Sequence, residues 1–309
     1  MPAPLLVAAG LALLMAGATA LVWGAASGAL RLGLTPLLVG ATVVAFGTSA
    51  PELVVSVDAA LDGAGGIAIG NVVGSNIANA GFILGLAALV RPIPTEAALL
   101  RRDLPVLMAA TLLVAVVLID GAVGRAEGAG LVAALVASLV WSVRASRADA
   151  RTAVDGVPDA PSGRAWSNAA AVAVGLGALA LGARWLVSGA TTLAETAGVS
   201  NAVIGLTVVA LGTSLPELAT SVVAAVRGDS AIAAGNVVGS NLFNLLGILG
   251  VAALVHPFAA PGLRLEDVAA MVLATALAWG AMWTGRRVGR IEGALLVGLY
   301  GAYVGTLLA

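Results

Sequence analysis

The chain has 309 residues, 60% of them hydrophobic and 10% charged, with a formal net charge of −1. No water-soluble surface sustains that balance without large apolar patches, so the composition reads as a polytopic membrane protein whose partner is the lipid bilayer and not nucleic acid. With no cysteine, no lysine and a single histidine, His256, disulfides, thiolate centres and His-rich zinc sites are excluded, and any metal must be held by oxygen.

A helix needs about 20 apolar residues to cross the hydrocarbon core, and on that scale ten spans follow in order. The first, near 4–27, has the length of a secretory leader. It lacks a basic start, however, and its Gly17 and Gly24 recur as Gly182 and Gly189 in span six, so it is kept in the mature protein. Span two, 36–61, carries Gly47-Thr48-Ser49-Ala50-Pro51-Glu52. On a helix Thr48, Ser49 and Glu52 converge on one face. Pro51 has no amide hydrogen and clashes with the fourth carbonyl back, which predicts a break that frees carbonyls near Ala45 to Gly47. Span three, 67–90, carries Gly70-Asn71-Val72-Val73-Gly74-Ser75-Asn76 and Asn79. There Asn71, Ser75 and Asn79 form a polar stripe at four-residue spacing, while Gly70 and Gly74 leave room for a neighbouring helix.

Spans four and five, 104–119 and 128–143, close a first five-helix repeat, 1–143. The most polar stretch follows, 144–167, with four arginines, three aspartates and two prolines, and reads as a solvated linker. The second repeat, 168–309, has spans at 168–190, 201–226, 232–255, 266–283 and 290–308. Its motifs copy the first at an offset of 165: Gly212-Thr213-Ser214-Leu215-Pro216-Glu217, preceded by Ala210, and Gly235-Asn236-Val237-Val238-Gly239-Ser240-Asn241 with Asn244. Block 40–92 aligns without gaps on block 205–257, with 34 of 53 positions identical.

A cytoplasmic linker puts Arg31, Arg91, Arg101, Arg102, Arg144, Arg147, Arg151, Arg164, Arg227, Arg286, Arg287 and Arg290 on that side. Only Arg125 and Arg264 fall outside, with Arg184 near the start of span six as a snorkelling interfacial side chain. Both termini then face away from the cytoplasm. Five spans per repeat is an odd number, so the second copy enters from the opposite side. The fold class expected is therefore an all-α polytopic membrane protein of ten transmembrane helices in two inverted-topology five-helix repeats, the mark of secondary transporters.

Facing copies would gather two carboxylates, several hydroxyls and amides and a few carbonyls, a hard oxygen set suited to calcium or sodium and less to magnesium. Serine and asparagine in membrane helices also serve plain packing. Glu52 and Glu217 tip the balance, because an ionisable group at a span centre costs at least about 2.5 kcal/mol and none of the sequence near them supplies a basic partner. Asp58, whose counterpart is Val223, belongs nearer the outer mouth, and His256 stands at a span end matching Arg91. Asp62, Arg227 and Asp229 read as solvated loop charges.

These paired, duplicated blocks resemble the α-repeats of the cation/calcium antiporter superfamily, the sodium/calcium exchanger-like membrane proteins. The resemblance implies ion positions clustered between spans two, three, seven and eight. It implies as ligands the Ala45 carbonyl, Thr48, Ser49, Glu52, Ser75 and Asn79, and in the second half the Ala210 carbonyl, Thr213, Ser214, Glu217, Ser240 and Asn244. Well-known sodium/calcium members carry aspartate where this chain has Asn244, which leaves two formal charges and opens the question of the coupling ion.

The implied activity is antiport of calcium against sodium, with these ions as cargo, no enzyme activity and no cofactor, in a bacterial or archaeal inner membrane. Proton- or potassium-coupled calcium exchange stays open, as does a cation channel, and the oligomeric state is open, a monomer included. An intramembrane serine hydrolase is set aside because the one histidine, His256, lies at a span end away from the serine blocks.

Overall fold

The computed structural model describes residues 1–152, 165–197, 210–259 and 264–308. Ten helical elements follow the expected spans. They are α1, Ala3–Arg31; α2, Pro36–Thr48 with Ala50–Leu61, bent by 47°; α3, Gly65–Val90; and α4, Leu99–Asp120. Next come α5, Arg125–Thr152; α6, Ala165–Thr196; and α7, Ala210–Gly212 with Leu215–Arg227. The last are α8, Ser230–Val255; α9, Leu265–Trp283; and α10, Arg290–Leu308. Among the described residues seven helices, or eight counting the bent α2, are long and apolar enough to cross a membrane.

The first part of the expected linker continues α5 as helix to Thr152, so Arg144 and Arg147 lie on that helix. Residues 153–164, including Arg164, and 201–209, the expected start of span seven, lie outside the described residues. Arg184 corrects the sequence reading. It lies well inside α6, which begins at Ala165, and is exposed, so it occupies the middle of a long helix and not an end.

Corresponding elements meet across a pseudo-twofold axis. Along the α1–α6 contact a Cβ on Gly10 would meet Gly182, one on Gly17 would meet Gly175, and one on Gly24 would meet Asn168. As one number rises the other falls, so these two equivalent helices run antiparallel with backbones touching, as only glycine allows. The pairs Gly85–Gly293 and Gly128–Gly250 repeat the exchange between α3 and α10 and between α5 and α8. Two short antiparallel strand pairs obey the same rule: β1, Ile93–Pro94, pairs with β4, Arg287–Val288, and β2, Ala122–Val123, with β3, Phe258–Ala259. An antiparallel copy related in this way is an inverted repeat.

The polar motifs sit at the centre. Both α3 and α8 have 78% of their apolar window buried, against at most 39% for the other single-helix spans. Each contains a π-helical turn, Asn79–Ile83 in α3 and Phe243–Ile248 in α8, and π turns widen a helix and re-aim its side chains. These turns hold Asn79 and Asn244.

The symmetry is incomplete. Helix α1 packs along Leu215–Arg227 of α7, whereas α6 makes no comparable contact with the equivalent Ala50–Leu61. A face of α2 is therefore open where its counterpart is covered. Val55 is 37% exposed and its equivalent Thr220 0%. Asp58 is exposed while its equivalent Val223 is buried.

The glycine contacts yield a stability test. A Cβ at position 182 would lie 2.8 Å from the Leu14 main-chain nitrogen, which cannot yield as a side chain would. Gly182→Ala is expected to cost about 1–3 kcal/mol in thermal or denaturant unfolding in detergent. Gly177→Ala, on the same helix with nothing within 4 Å, serves as control and should leave the midpoint in place.

Candidate cation site

The break in each motif helix falls at a serine. Ser49 has φ −84° and ψ 6°, and Ser214 has φ −86° and ψ 5°, the same non-helical conformation in both halves. Proline follows two residues later in each case, at a first-turn position where a missing amide hydrogen costs nothing. The segments after the breaks then start with Glu52 and Glu217 in their first turns, where exposed amide dipoles favour a carboxylate.

Both carboxylates are buried, each 1% exposed. The repeats hold them reciprocally. The Ser49 hydroxyl donates to Glu217 Oε1 at 2.8 Å, and the Ser214 hydroxyl donates to Glu52 Oε1 at 3.2 Å. Each acid is thus bonded to the helix break of the other repeat, close enough for the two charges to act on each other. No arginine is recorded in an ion pair with either acid among the described residues.

The predicted neutral ligands are largely buried with this pair. Thr48, Ser75, Asn79, Ser240 and Asn244 are all buried, and Thr213 approaches Glu52 without closing a hydrogen bond. Ala210 opens the described part of α7. Among the described residues eleven buried side-chain polar atoms lack a hydrogen-bond partner, and six of them are oxygens of the predicted ligand set: Glu52 Oε2, Glu217 Oε2, Thr213 Oγ1, Ser240 Oγ, Asn79 Oδ1 and Asn244 Oδ1. A buried oxygen without a donor costs free energy that a cation would recover, so the concentration of such atoms here fits bound metal ions. Among the described residues no three His, Asp or Glu side chains gather, so the set is two charges among dipoles.

One expected ligand is not arranged as the sequence suggested. The Ala45 carbonyl is not freed: it accepts from the Ser49 amide at 3.0 Å and the Thr48 hydroxyl lies 3.2 Å away. The reason is register, because Pro51 withdraws a donor from the fourth carbonyl back, Gly47, and not from Ala45.

Four further side chains brace the site. Asn71 Nδ2 donates to the Glu52 main-chain oxygen at 3.1 Å and to Ser56 Oγ at 2.9 Å. Asn236 does the same to Glu217 at 3.3 Å and Ser221 at 2.9 Å. The stripe in span three pointed to Asn71, but Ser56 and Ser221 were not read as part of the site. Their signal was available: both stand four residues past the acid, on its face, at matched positions of the duplicated blocks. Asn241 was missed in the same way and accepts from Asn79 Nδ2 at 2.9 Å.

Comparison with known proteins agrees with this architecture. The family described as "Sodium/calcium exchanger protein" matches residues 2–144 and 167–309. The chain is 38% identical over 236 residues to the putative antiporter CaxA of Alkalimonas amylolytica, covering 74% of each chain. It is 34% identical over 199 residues to the inner membrane protein YrbG of Escherichia coli, covering 61% of this chain and 60% of that one. A solved structure of the sodium-calcium exchanger NCX_Mj, soaked with zero Na+ and Ca2+, superposes with a TM-score of 0.86 at 32% identity, covering 99% of this chain and 98% of the other. An integral membrane protein of two inverted repeats with these matches along both halves belongs to the sodium/calcium exchanger family, which comprises antiporters and not enzymes.

Proposed function

We propose that this protein exchanges calcium for sodium by alternating access, with both ions competing for the oxygens between Glu52 and Glu217. The observation that carries the reading is the reciprocal pair of buried acids, each with one oxygen held by the opposite repeat and one without a partner. Two carboxylates balance one calcium or two sodium ions. Entry of sodium then displaces calcium, and the empty, doubly charged site resists crossing the apolar core. The inverted repeat supports access from both sides, since each half can adopt the conformation of the other. Helices α1 and α6, touching through glycines and carrying no acid at the site, form the natural sliding pair.

With the twelve arginines cytoplasmic, the termini lie outside the cell membrane and the uncovered face of α2 opens outward. Inward sodium movement then drives calcium out. The repeats 1–143 and 168–309 each supply one helix of the sliding pair, with 144–167 as their cytoplasmic connection.

Calcium-45 uptake into sodium-loaded inside-out vesicles tests the assignment. Glu52→Gln and Glu217→Gln are each expected to reduce sodium-dependent uptake to the level of protein-free vesicles, and uptake equal to the parent's would refute the site. Calcium flux that follows a pH gradient with sodium absent would assign the coupling to protons instead, and calcium flux with no counter-ion would indicate a channel.

Asn244 generates a second expectation. With only two acids, a site loaded with one calcium or two sodium ions is neutral in both cases. Sodium-driven calcium flux should therefore run at the same rate with the potential clamped at zero or at about −100 mV, where a moving elementary charge would feel about 2.3 kcal/mol. Asn244→Asp adds a third carboxylate and should make the flux voltage-dependent.

A further inference from the structure

The two halves carry the same residues around the acids but do not make the same bonds. In the second half Asn236 is 0% exposed, and its Oδ1 lies 3.2 Å from the Thr48 hydroxyl of the first half, which donates to it. Its Nδ2 is committed to the Glu217 carbonyl and Ser221, which fixes the amide so that Oδ1 faces Thr48. In the first half Asn71 makes the equivalent Nδ2 bonds to the Glu52 carbonyl and Ser56 but is only half-buried. The equivalent of Thr48 is Thr213, whose buried hydroxyl approaches Glu52 but closes no hydrogen bond to Asn71. The side on which the bond is missing is the side on which α6 leaves α2 uncovered.

A hydroxyl that offers its lone pairs to a cation must send its proton elsewhere. Asn236 offers the Thr48 proton an acceptor in the opposite repeat, at the same 3.2 Å as the Ala45 carbonyl in its own, while it holds the turn bearing Glu217. We propose that Asn71 and Asn236 are positioning residues of the exchange site, and that the Thr48–Asn236 hydrogen bond and its counterpart Thr213–Asn71 are made alternately, one in each facing state. The argument is one of symmetry. The repeats are antiparallel copies with threonine and asparagine at matched positions, so exchanging their conformations makes the Thr213–Asn71 bond and breaks the other. The covered second half has its asparagine, Asn236, buried and bonded to Thr48 across the repeats; the uncovered first half has Asn71 half-buried and without the matching bond from Thr213. The bond is therefore one of the contacts that differ between the two states, which is what an element biasing a two-state equilibrium must be.

This inference rests on the exchange reading for its meaning, but its test does not need transport. The chain has no cysteine, so a single introduced one reports alone. Val55→Cys, on the open face of α2, and Thr220→Cys, at the covered equivalent, are labelled from either side of reconstituted vesicles with a membrane-impermeant maleimide in choline buffer free of sodium and calcium. Asn236→Leu and Thr48→Val each remove the bond present in this state. Both are expected to slow labelling of Val55→Cys from the outer side about two- to tenfold and to speed labelling of Thr220→Cys from the inner side by a similar factor, the range one hydrogen bond commands.

Asn71→Leu and Thr213→Val should move both reporters the other way. The double variant Thr48→Val with Asn236→Leu should shift labelling no further than either single change, since both delete the same contact. Shifts in the same direction for the two halves, or no shift for Thr48→Val and Thr213→Val, would overturn the proposal. The threonine variants keep the test decisive should the buried asparagine variants fail to fold. If labelling shifts as expected in a protein that moves no calcium against sodium, the exchange reading fails and the switch stands. If exchange is intact and labelling does not respond, the switch fails alone.

Discussion

Two carboxylates at the centre of an apolar protein, with no lysine in the chain and no ion pair to an arginine among the described residues, set the conditions for everything around them. A charge at this depth must be met by dipoles or by a mobile cation. The dipoles come from broken helices. Stopping α2 and α7 at Ser49 and Ser214 presents each acid in a first helical turn and turns each serine hydroxyl onto the acid of the other repeat. Neither repeat could stabilise its own acid this way, and that mutual dependence ties the halves into one unit although each has its own full set of helices.

The dependence also explains why the packing outside the site is so largely glycine against backbone. Helices α1 and α6 touch at Gly10–Gly182 and Gly17–Gly175, and α3 and α8 meet their partners at Gly85–Gly293 and Gly128–Gly250. In lipid there is no hydrophobic force to press helices together, so close backbone approach and dispersion take its place. A backbone-to-backbone seam has few interlocking side chains. For α1 and α6 it combines tight contact with low resistance to sliding, whereas the motif helices α3 and α8 are fixed by amide hydrogen bonds such as Asn79–Asn241. Under the proposed exchange, the sliding and the fixed parts of the molecule thus differ in the chemistry of their contacts.

Much of this could be read from the residues. The offset of 165 gave the inverted repeat, and Thr48, Ser49 and Glu52 with their copies were placed by helical spacing on the face the structure gathers. What could not be read is informative. The Ala45 carbonyl is hydrogen-bonded because a proline acts on one register only. The bracing by Asn71 and Asn236 requires knowing which face of α3 and α8 meets the acids, and π turns shift that face in a way no 3.6-residue count anticipates. The unequal covering of α2 and α7 lay beyond reach for a deeper reason: the blocks share 34 of 53 positions, and a duplicated motif does not say which of two equivalent conformations each copy adopts.

That degeneracy is what a carrier needs. If the halves differed strongly in sequence, one facing state would lie far below the other, and ions bound on the favoured side would be released slowly on the other. Under the proposed exchange the matched residues of the motif blocks keep the two arrangements close in energy, so a difference of a few hydrogen bonds, such as the one Thr48 makes to Asn236 and Thr213 does not make to Asn71, can weigh in the choice between them. The acids oppose indiscriminate switching. An empty site keeps two charges in place, and moving them through the core without ions costs more than any one hydrogen bond returns. Under the proposed exchange the bound cation therefore does the work of permission, cancelling the charge that forbids the transition, while the near-symmetry of the protein keeps the transition itself inexpensive. Coupling between two ions then needs no separate gate for each, only a shared site that is costly to move when empty.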